Sequence, residues 1–300
     1  MNRREFSKTV AGAALGATGM ALKPAAALPA PAASDEETPF KISVMLWTVF
    51  EKLPFEQRLE KVHEAGYRAV QLVGEYRKWS ENDFRRANAK RRELGLTFDC
   101  TAGLKHSAGD PRARDAFLED VRNELKIMER IECPGLIIMS GNVIPGLSPQ
   151  AQHQSCVESL KRAAELVEGK DVTLYLETID LEENPHYYLW SVAEAFKVIG
   201  EVNHPRVKFL YDFYHAQISG GNLIALLERN ADKLGLVHIA DVPGRHEPGT
   251  GEINYLNIYK KLAELKYHRY VAMEFIPAGD PVKTLAAARR EALQTAPGAA

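Results

Sequence analysis

Eight short apolar segments alternate with eight helix-like segments along this chain. The apolar segments are predicted strands at 42–47, 68–73, 96–101, 135–139, 172–176, 207–211, 234–239 and 270–273. The predicted helices that follow them span 55–64, 81–94, 111–131, 148–167, 188–200, 222–230, 256–265 and 281–295. Most of the strands are apolar throughout, as expected when both faces of a parallel sheet are buried. Each strand–helix unit has about 30 residues, the length of a βαβ repeat.

This repeat predicts an α/β chain with one domain, a (β/α)8 TIM barrel over 41–296, because eight such units match the usual size of that fold. A doubly wound open sheet is the alternative. The turn after the first predicted strand lacks the GxGxxG sequence typical of dinucleotide-binding sheets, which counts against the open sheet.

The N-terminal 30 residues resemble an export signal more than a part of the fold. Arg3 and Arg4 form a twin-arginine pattern, and a stretch rich in Ala and Gly follows them. This order predicts a Tat signal peptide over 1–30, with cleavage near Ala27, and then a linker over 31–40. An Ala-rich tail without a signal is the alternative. The prediction makes the Tat export machinery a partner and places the mature protein in the periplasm or another exported location.

Charge and hydropathy exclude some classes of partner. The formal net charge is −2 and there is no long basic tract, which disfavours nucleic acid. No apolar stretch reaches the roughly 18 residues that a stable membrane anchor needs. The three cysteines lack zinc-type spacing, and the apolar surroundings of Cys100 and Cys156 favour buried thiols.

Four consecutive predicted strands carry a potential metal ligand at their C-terminal ends. These residues are Glu177, Asp212, His238 and Glu274. The C-terminal ends of barrel strands meet at one rim, so we expect the four side chains to face a common centre. Three carboxylates there would repel one another without a cation, and an oxygen-rich set with one nitrogen suits Mn²⁺, Mg²⁺ or Co²⁺. Taken singly, each acid could instead cap a helix or form a salt bridge.

Beyond these four positions, the chain resembles the xylose-isomerase-like barrels and, within them, the hydroxypyruvate isomerase family, which is related to the ketose 3-epimerases. The segment 240–255, ADVPGRHEPGTGEINY, carries most of the resemblance. Support comes from 212–215, DFYH, and from 274–277, EFIP. The similarity covers residues 41–295 and is strongest after Leu174.

The resemblance implies roles for particular residues. The four strand-end residues would bind one divalent ion, Mn²⁺ or Mg²⁺, with Co²⁺ as a further candidate. Glu177 and Glu274 would also transfer protons on opposite sides of the substrate. Relatives of this type commonly form homodimers or homotetramers, and the resemblance implies the same here.

Four further residues are candidates for substrate binding. The resemblance implies this role for His215, Arg245 and Glu183. Trp47 ends the first predicted strand, where an aromatic ring could form a wall of the pocket. The alternatives are a rim histidine without substrate contact, an arginine bound within its own loop, a solvated acid and a packing tryptophan.

The chemistry fits these residue types. Isomerisation of a 2-hydroxy aldehyde moves a proton between neighbouring carbons, which a metal bound to both oxygens assists by stabilising an enediolate. Two carboxylates can act as base and acid. The sequence therefore predicts a metal-dependent isomerase or epimerase of a small sugar or hydroxy-carbonyl acid. The alternatives are a lyase or dehydratase of an oxidised keto sugar, and a catalytically silent sugar-binding protein. His238 stands where hydroxypyruvate isomerases usually carry Gln, which leaves the substrate open.

Overall fold

Eight parallel strands close into a barrel in chain order in the computed structural model, which describes residues 39–295. The strands are β1 (Lys41–Met45), β2 (Ala69–Leu72), β3 (Thr97–Thr101), β4 (Gly135–Met139), β5 (Thr173–Glu177), β6 (Val207–Asp212), β7 (Leu234–Ile239) and β8 (Tyr270–Met273). β1 pairs with β8 in parallel and so closes the sheet. The predicted single-domain (β/α)8 barrel is confirmed.

The helices lie between successive strands. They are α1 (Phe55–Glu64), α2 (Glu81–Glu93), α3 (Arg114–Ile131), α4 (Pro149–Leu166), α5 (Val192–Val202), α6 (Phe213–Ser219), α7 (Leu223–Arg229), α8 (Tyr255–Glu264) and α9 (Pro281–Gln294). Short 3₁₀ helices occupy Leu46–Thr48, Glu75–Lys78, Pro111–Ala113 and Ala231–Lys233. Among residues 39–295, no helix is both long and apolar enough to cross a bilayer.

The connection after β6 differs from the prediction of one helix at 222–230. It holds two helices, α6 and α7, and α6 begins directly at the end of the strand. Asp212 makes this start possible because its Oδ1 accepts hydrogen bonds from the backbone N–H groups of Tyr214 and His215. An Asp at the N-cap satisfies amide groups that the first turn leaves free. The short helix α6 therefore places His215 close to the strand end.

The start of α5 was also predicted wrongly, at 188 instead of Val192. The side chain of Ser191 caps this helix by accepting from the backbone N–H of Glu194. The preceding residues are not helical, and the N–H of Tyr188 donates to the carbonyl oxygen of Gly141 in the loop after β4. These contacts fix the boundary because the capping serine lies just outside the helix.

A compact apolar cluster occupies part of the barrel interior. It consists of side chains from six different strands: Met45, Cys100, Ile137, Tyr175, Leu210 and Leu236. Tyr175 needs room, which Gly235 supplies. A Cβ at Gly235 would lie 2.7 Å from Cε1 of Tyr175 and 2.4 Å from Cβ of Lys208. We call these six residues the inner cluster; they make the lower barrel a packed core rather than a channel.

Two predictions concern the ends of the chain and its thiols. The predicted signal peptide at 1–30 and most of the linker at 31–40 lie outside the described residues, so both stay predictions. All three cysteines are buried free thiols, which agrees with the prediction for Cys100 and Cys156.

Candidate metal centre

Four buried side chains converge at the C-terminal mouth of the barrel. They are Glu177 at the end of β5, Asp212 at the end of β6, His238 in β7 and Glu274 directly after β8. One potential ligand atom from each lies within 4.8 Å of the others. The structure therefore brings together the four residues that the sequence selected, while their binding of an ion stays a prediction.

The donor set suits a divalent cation. The Nδ1 atom of His238 lies 2.6 Å from Oε2 of Glu274 and 3.7 Å from Oε1 of Glu177. All four side chains are buried, so water cannot screen the carboxylates from one another. Burial acts to lower the pKa of His238, but Glu274 and Glu177 outweigh it and raise that pKa to about 9. The local field thus favours positive charge, and three carboxylates with one imidazole fit Mn²⁺, Mg²⁺ or Co²⁺.

The two candidate proton-transfer residues differ in proton affinity. Burial, reinforced by the charges of Glu274 and Asp212, raises the pKa of Glu177 to about 7. Burial also acts to raise the pKa of Glu274, but the positive charges of His238 and Arg245 hold it well below its usual range. Neighbouring carboxylates with divergent pKa values are typical of acid–base pairs, since one can carry a proton while the other stays ionised.

Arg245 is a buried cation beside these carboxylates. Its Nη2 lies 3.0 Å from Oε2 of Glu274 and 3.4 Å from Oδ2 of Asp212. Its Nη1 donates to both carboxylate oxygens of Glu183, at 2.9 and 3.1 Å. These ion pairs reach across the mouth of the barrel, unlike the alternative of a salt bridge within the loop of Arg245. The guanidinium therefore connects the candidate metal centre with Glu183, the one partly exposed acid of this group.

Two aromatic rings enclose the Arg245 guanidinium. Its Cζ lies 5.2 Å from the ring centroid of Trp47 and 4.8 Å from that of Tyr214, within cation–π distance. The indole N–H of Trp47 also donates to Oε1 of Glu274 at 2.7 Å. Trp47 thus lies beside the four residues of the candidate metal centre and fixes the orientation of a candidate catalytic carboxylate, while its role as a pocket wall stays a prediction.

His215 lies on the other side of Arg245 and belongs to an Asp–His pair. Its Nδ1 is 2.6 Å from Oδ2 of Asp180, and its Nε2 is 3.4 Å from Nη1 of Arg245. The other oxygen of Asp180 accepts the backbone N–H groups of Glu182 and Glu183. Sequence analysis missed Asp180. The sequence offered one indication of its role. Asp180 lies three residues past a strand end and shortly before Glu182 and Glu183, a pattern typical of an Asx turn.

The loop after β7, which carries Arg245, is organised by Asp241. This carboxylate is fully buried and accepts hydrogen bonds from four backbone N–H groups: those of Val242, Gly249, Gly251 and Ile253. A Cβ at Gly251 would lie 2.0 Å from the carbonyl oxygen of Val242, so only glycine fits there. The carbonyl oxygen of Arg245 accepts the N–H of Ile276, which ties the loop to the segment after β8.

Comparison with known proteins supports a family assignment. Residues 59–295 match the family described as xylose isomerase-like TIM barrel. The chain is 30% identical to the 2-oxo-tetronate isomerase of Haemophilus influenzae over 251 residues, which cover 82% of this chain and 96% of that protein. It is 30% identical to the hydroxypyruvate isomerase of Escherichia coli over 243 residues, which cover 79% of this chain and 93% of that protein.

A solved structure gives the same family by shape. The crystal structure described as an AP endonuclease of family 2 from Brucella melitensis superposes with a TM-score of 0.77 at 27% identity. The match covers 83% of this chain and 98% of that one. The resemblance seen in the sequence is thereby confirmed: the chain belongs to the xylose isomerase-like TIM barrel family, and isomerases of hydroxypyruvate and 2-oxo-tetronate are among its relatives.

Proposed function

We propose that this protein is a divalent-metal-dependent isomerase of short hydroxy-keto or hydroxy-aldehyde acids. The observation that carries the proposal is the buried guanidinium of Arg245, which lies 3.0 Å from Glu274 within the four-residue centre. An Arg fork can bind a substrate carboxylate while the centre holds the neighbouring oxygens. Two relatives are named for hydroxypyruvate and 2-oxo-tetronate, which are both carboxylic acids.

The proposed reaction moves hydrogen between two adjacent carbons. When bound by the four residues, a divalent ion, Mn²⁺ or Mg²⁺ with Co²⁺ as an alternative, supplies Lewis-acid polarisation of the substrate oxygens. Glu274, the more acidic group, accepts the proton from the hydroxyl-bearing carbon. Glu177, whose pKa is raised to about 7, donates a proton to the former carbonyl carbon. The hydroxyl proton passes to the carbonyl oxygen, so substrate and product have the same composition.

The rim residues bind and orient the substrate in this scheme. Arg245 would bind the substrate carboxylate, and doing so would replace its contact with Glu183. His215 would contact a substrate oxygen through Nε2, because Asp180 occupies its Nδ1. Trp47 would form the wall beside Glu274. The signal predicted at 1–30 places this reaction outside the cytoplasm, as a further part of the proposal.

Turnover in D₂O tests the reaction and the substrate class together. We expect the Mn²⁺-loaded protein to convert hydroxypyruvate or a four-carbon 2-oxo hydroxy acid into an isomer with deuterium on the carbon that receives the proton. Mass spectrometry and NMR of the product measure this. The matched control is a neutral hydroxy ketone of equal length, which lacks the carboxylate for Arg245 and should react far more slowly.

The same experiment separates the alternatives. A lyase or dehydratase would give a product that has lost a fragment or water. A catalytically silent binding protein would bind the acid without exchanging its carbon-bound hydrogen. Faster turnover of the neutral compound than of the acid would contradict the proposed substrate class while leaving an isomerase in place.

Asp180→Asn should weaken turnover without removing the metal centre. The amide oxygen can still accept the two backbone N–H groups, but the amide NH₂ then faces Nδ1 of His215 and favours the opposite tautomer. We therefore expect kcat/KM to fall by about 10- to 100-fold, as for other orienting groups. Bound metal should stay near the wild-type value. Asp171→Asn is the control, since the Asp171 side chain is 94% exposed. Unchanged kcat/KM in Asp180→Asn would show that the pair does not serve the reaction.

A further inference from the structure

A row of buried polar side chains lies behind the metal centre, inside the barrel. Nε2 of His238 lies 2.8 Å from Oε1 of Gln71, whose Nε2 donates to Oδ2 of Asp99 at 2.8 Å. The hydroxyl of Ser43 donates to the same Asp99 oxygen at 3.2 Å. None of these four residues is more than 3% exposed. Burying polar groups is costly unless they are paired, so a row of this kind calls for a role.

The Asp99 carboxylate fixes which end of the Gln71 amide faces His238. A carboxylate accepts hydrogen bonds, so the amide nitrogen of Gln71 must face Asp99 and the amide oxygen must face His238. An oxygen there accepts only if Nε2 of His238 carries hydrogen. When a metal ion replaces the hydrogen on Nδ1, the imidazole keeps Nε2–H and has its lone pair on Nδ1, the atom that faces Glu274 and Glu177. A ring nitrogen must be unprotonated to bind a metal ion.

We propose that Gln71, oriented by Asp99, is a positioning residue that holds His238 as the Nε2–H tautomer and so presents Nδ1 to the divalent ion. The inference rests on the metal site of the proposed function. A hydrogen-bond acceptor behind a ligating histidine fixes both its tautomer and its ring orientation, and loss of such a partner typically weakens metal binding about 10- to 100-fold. Gln71 on β2 and Asp99 on β3 thus support a centre whose ligands lie on, or directly after, β5 to β8.

The test is the dissociation constant for Mn²⁺ in the full chain, stripped of metal and titrated while free Mn²⁺ is followed by electron paramagnetic resonance. We expect Gln71→Met, which removes the acceptor at similar size, to bind about 10- to 100-fold more weakly. Asp99→Asn leaves Gln71 in place but frees its amide to turn, so it should show a smaller loss. Ser43→Ala is the matched control, since Ser43 is equally buried and bonds to Asp99 and, at 3.4 Å, to Gln71, but its loss leaves the stronger Gln71–Asp99 bond in place.

A double variant separates positioning from general damage to the core. Gln71→Glu/Asp99→Asn keeps the net charge of the row and an acceptor at His238, because the new carboxylate accepts from both the imidazole and the new amide. We expect it to restore the Mn²⁺ affinity that each single change weakens. In ¹⁵N-histidine-labelled protein with Mg²⁺, wild type and Ser43→Ala should show hydrogen on Nε2 of His238 and none on Nδ1.

The outcomes distinguish this inference from the function on which it rests. If wild type binds no divalent ion, the proposed metal site itself fails. If wild type binds Mn²⁺ and folded Gln71→Met binds it equally well, the positioning role alone is wrong. If Gln71→Met does not fold, the test uses Asp99→Asn and the double variant instead. Equal Mn²⁺ affinity in this single variant and the double variant would overturn the proposal.

Discussion

Glu274→Gln should lower kcat for isomerisation by about 1,000-fold or more. A positioned acid or base typically contributes 10²- to 10⁴-fold, and an amide cannot accept the proton. The substitution keeps the length of the side chain and an oxygen for the indole N–H of Trp47. Steady-state kinetics at saturating Mn²⁺, with metal content measured by mass spectrometry, gives the result. Raising the Mn²⁺ concentration distinguishes lost metal from lost proton transfer, since only the first loss would be recovered.

Glu252→Gln provides the control for this experiment. Glu252 lies on the same loop as Arg245, is exposed, and accepts a hydrogen bond from the side chain of Gln217. We expect its kinetics to match wild type. Wild-type turnover in metal-loaded Glu274→Gln would show that this carboxylate is not the base and that the proton-transfer pair has been assigned wrongly.

Asp241→Ala should cost about 2–4 kcal/mol in the free energy of unfolding, or prevent folding of the loop after β7. The change leaves four backbone N–H groups without their acceptor. Ile253 is buried, and an unsatisfied buried group costs about 1–3 kcal/mol, whereas water can reach the exposed Gly249 and Gly251. The same loop carries Arg245, so activity should fall as well. Urea unfolding followed by circular dichroism measures the loss.

Asp280→Ala gives the scale against which this loss is judged. Asp280 caps α9 by accepting the backbone N–H of Lys283, at an exposed position. Removal of such a cap typically costs about 1 kcal/mol. Similar losses for Asp241→Ala and Asp280→Ala would mean that water replaces the Asp241 carboxylate and that the loop does not depend on it.

The barrel could be predicted because the strand–helix repeat is visible in the sequence. Parallel strands buried on both faces are apolar runs, and each unit places one such run before a helix. The helix α6 was not predicted because it has only seven residues and begins at a strand end without a preceding turn. Its start depends on Asp212, whose side chain caps the helix and also faces the candidate metal centre.

From the strand–helix repeat alone, the site residues that could be predicted are those at strand ends, whereas His215, Arg245 and Glu183 were predicted from the family resemblance. Glu177, Asp212 and Glu274 lie at strand ends, and their convergence follows from barrel closure alone. Gln71 and Asp99 lie within strands of apolar character, and the contacts of Gln71 with His238 and with Asp99 depend on which side chains meet across the barrel interior. That information comes from strand stagger, including the register shift between Val70 and Gln71, which no local pattern reveals.

The inner cluster has a consequence for the order of events during turnover. Because the side chains of the inner cluster block the barrel beneath the centre in residues 39–295, we expect reactant and product to use the same opening at the rim. Departure of one molecule must precede arrival of the next. Product should therefore compete with substrate for the free enzyme, and the reverse reaction should begin by the same approach.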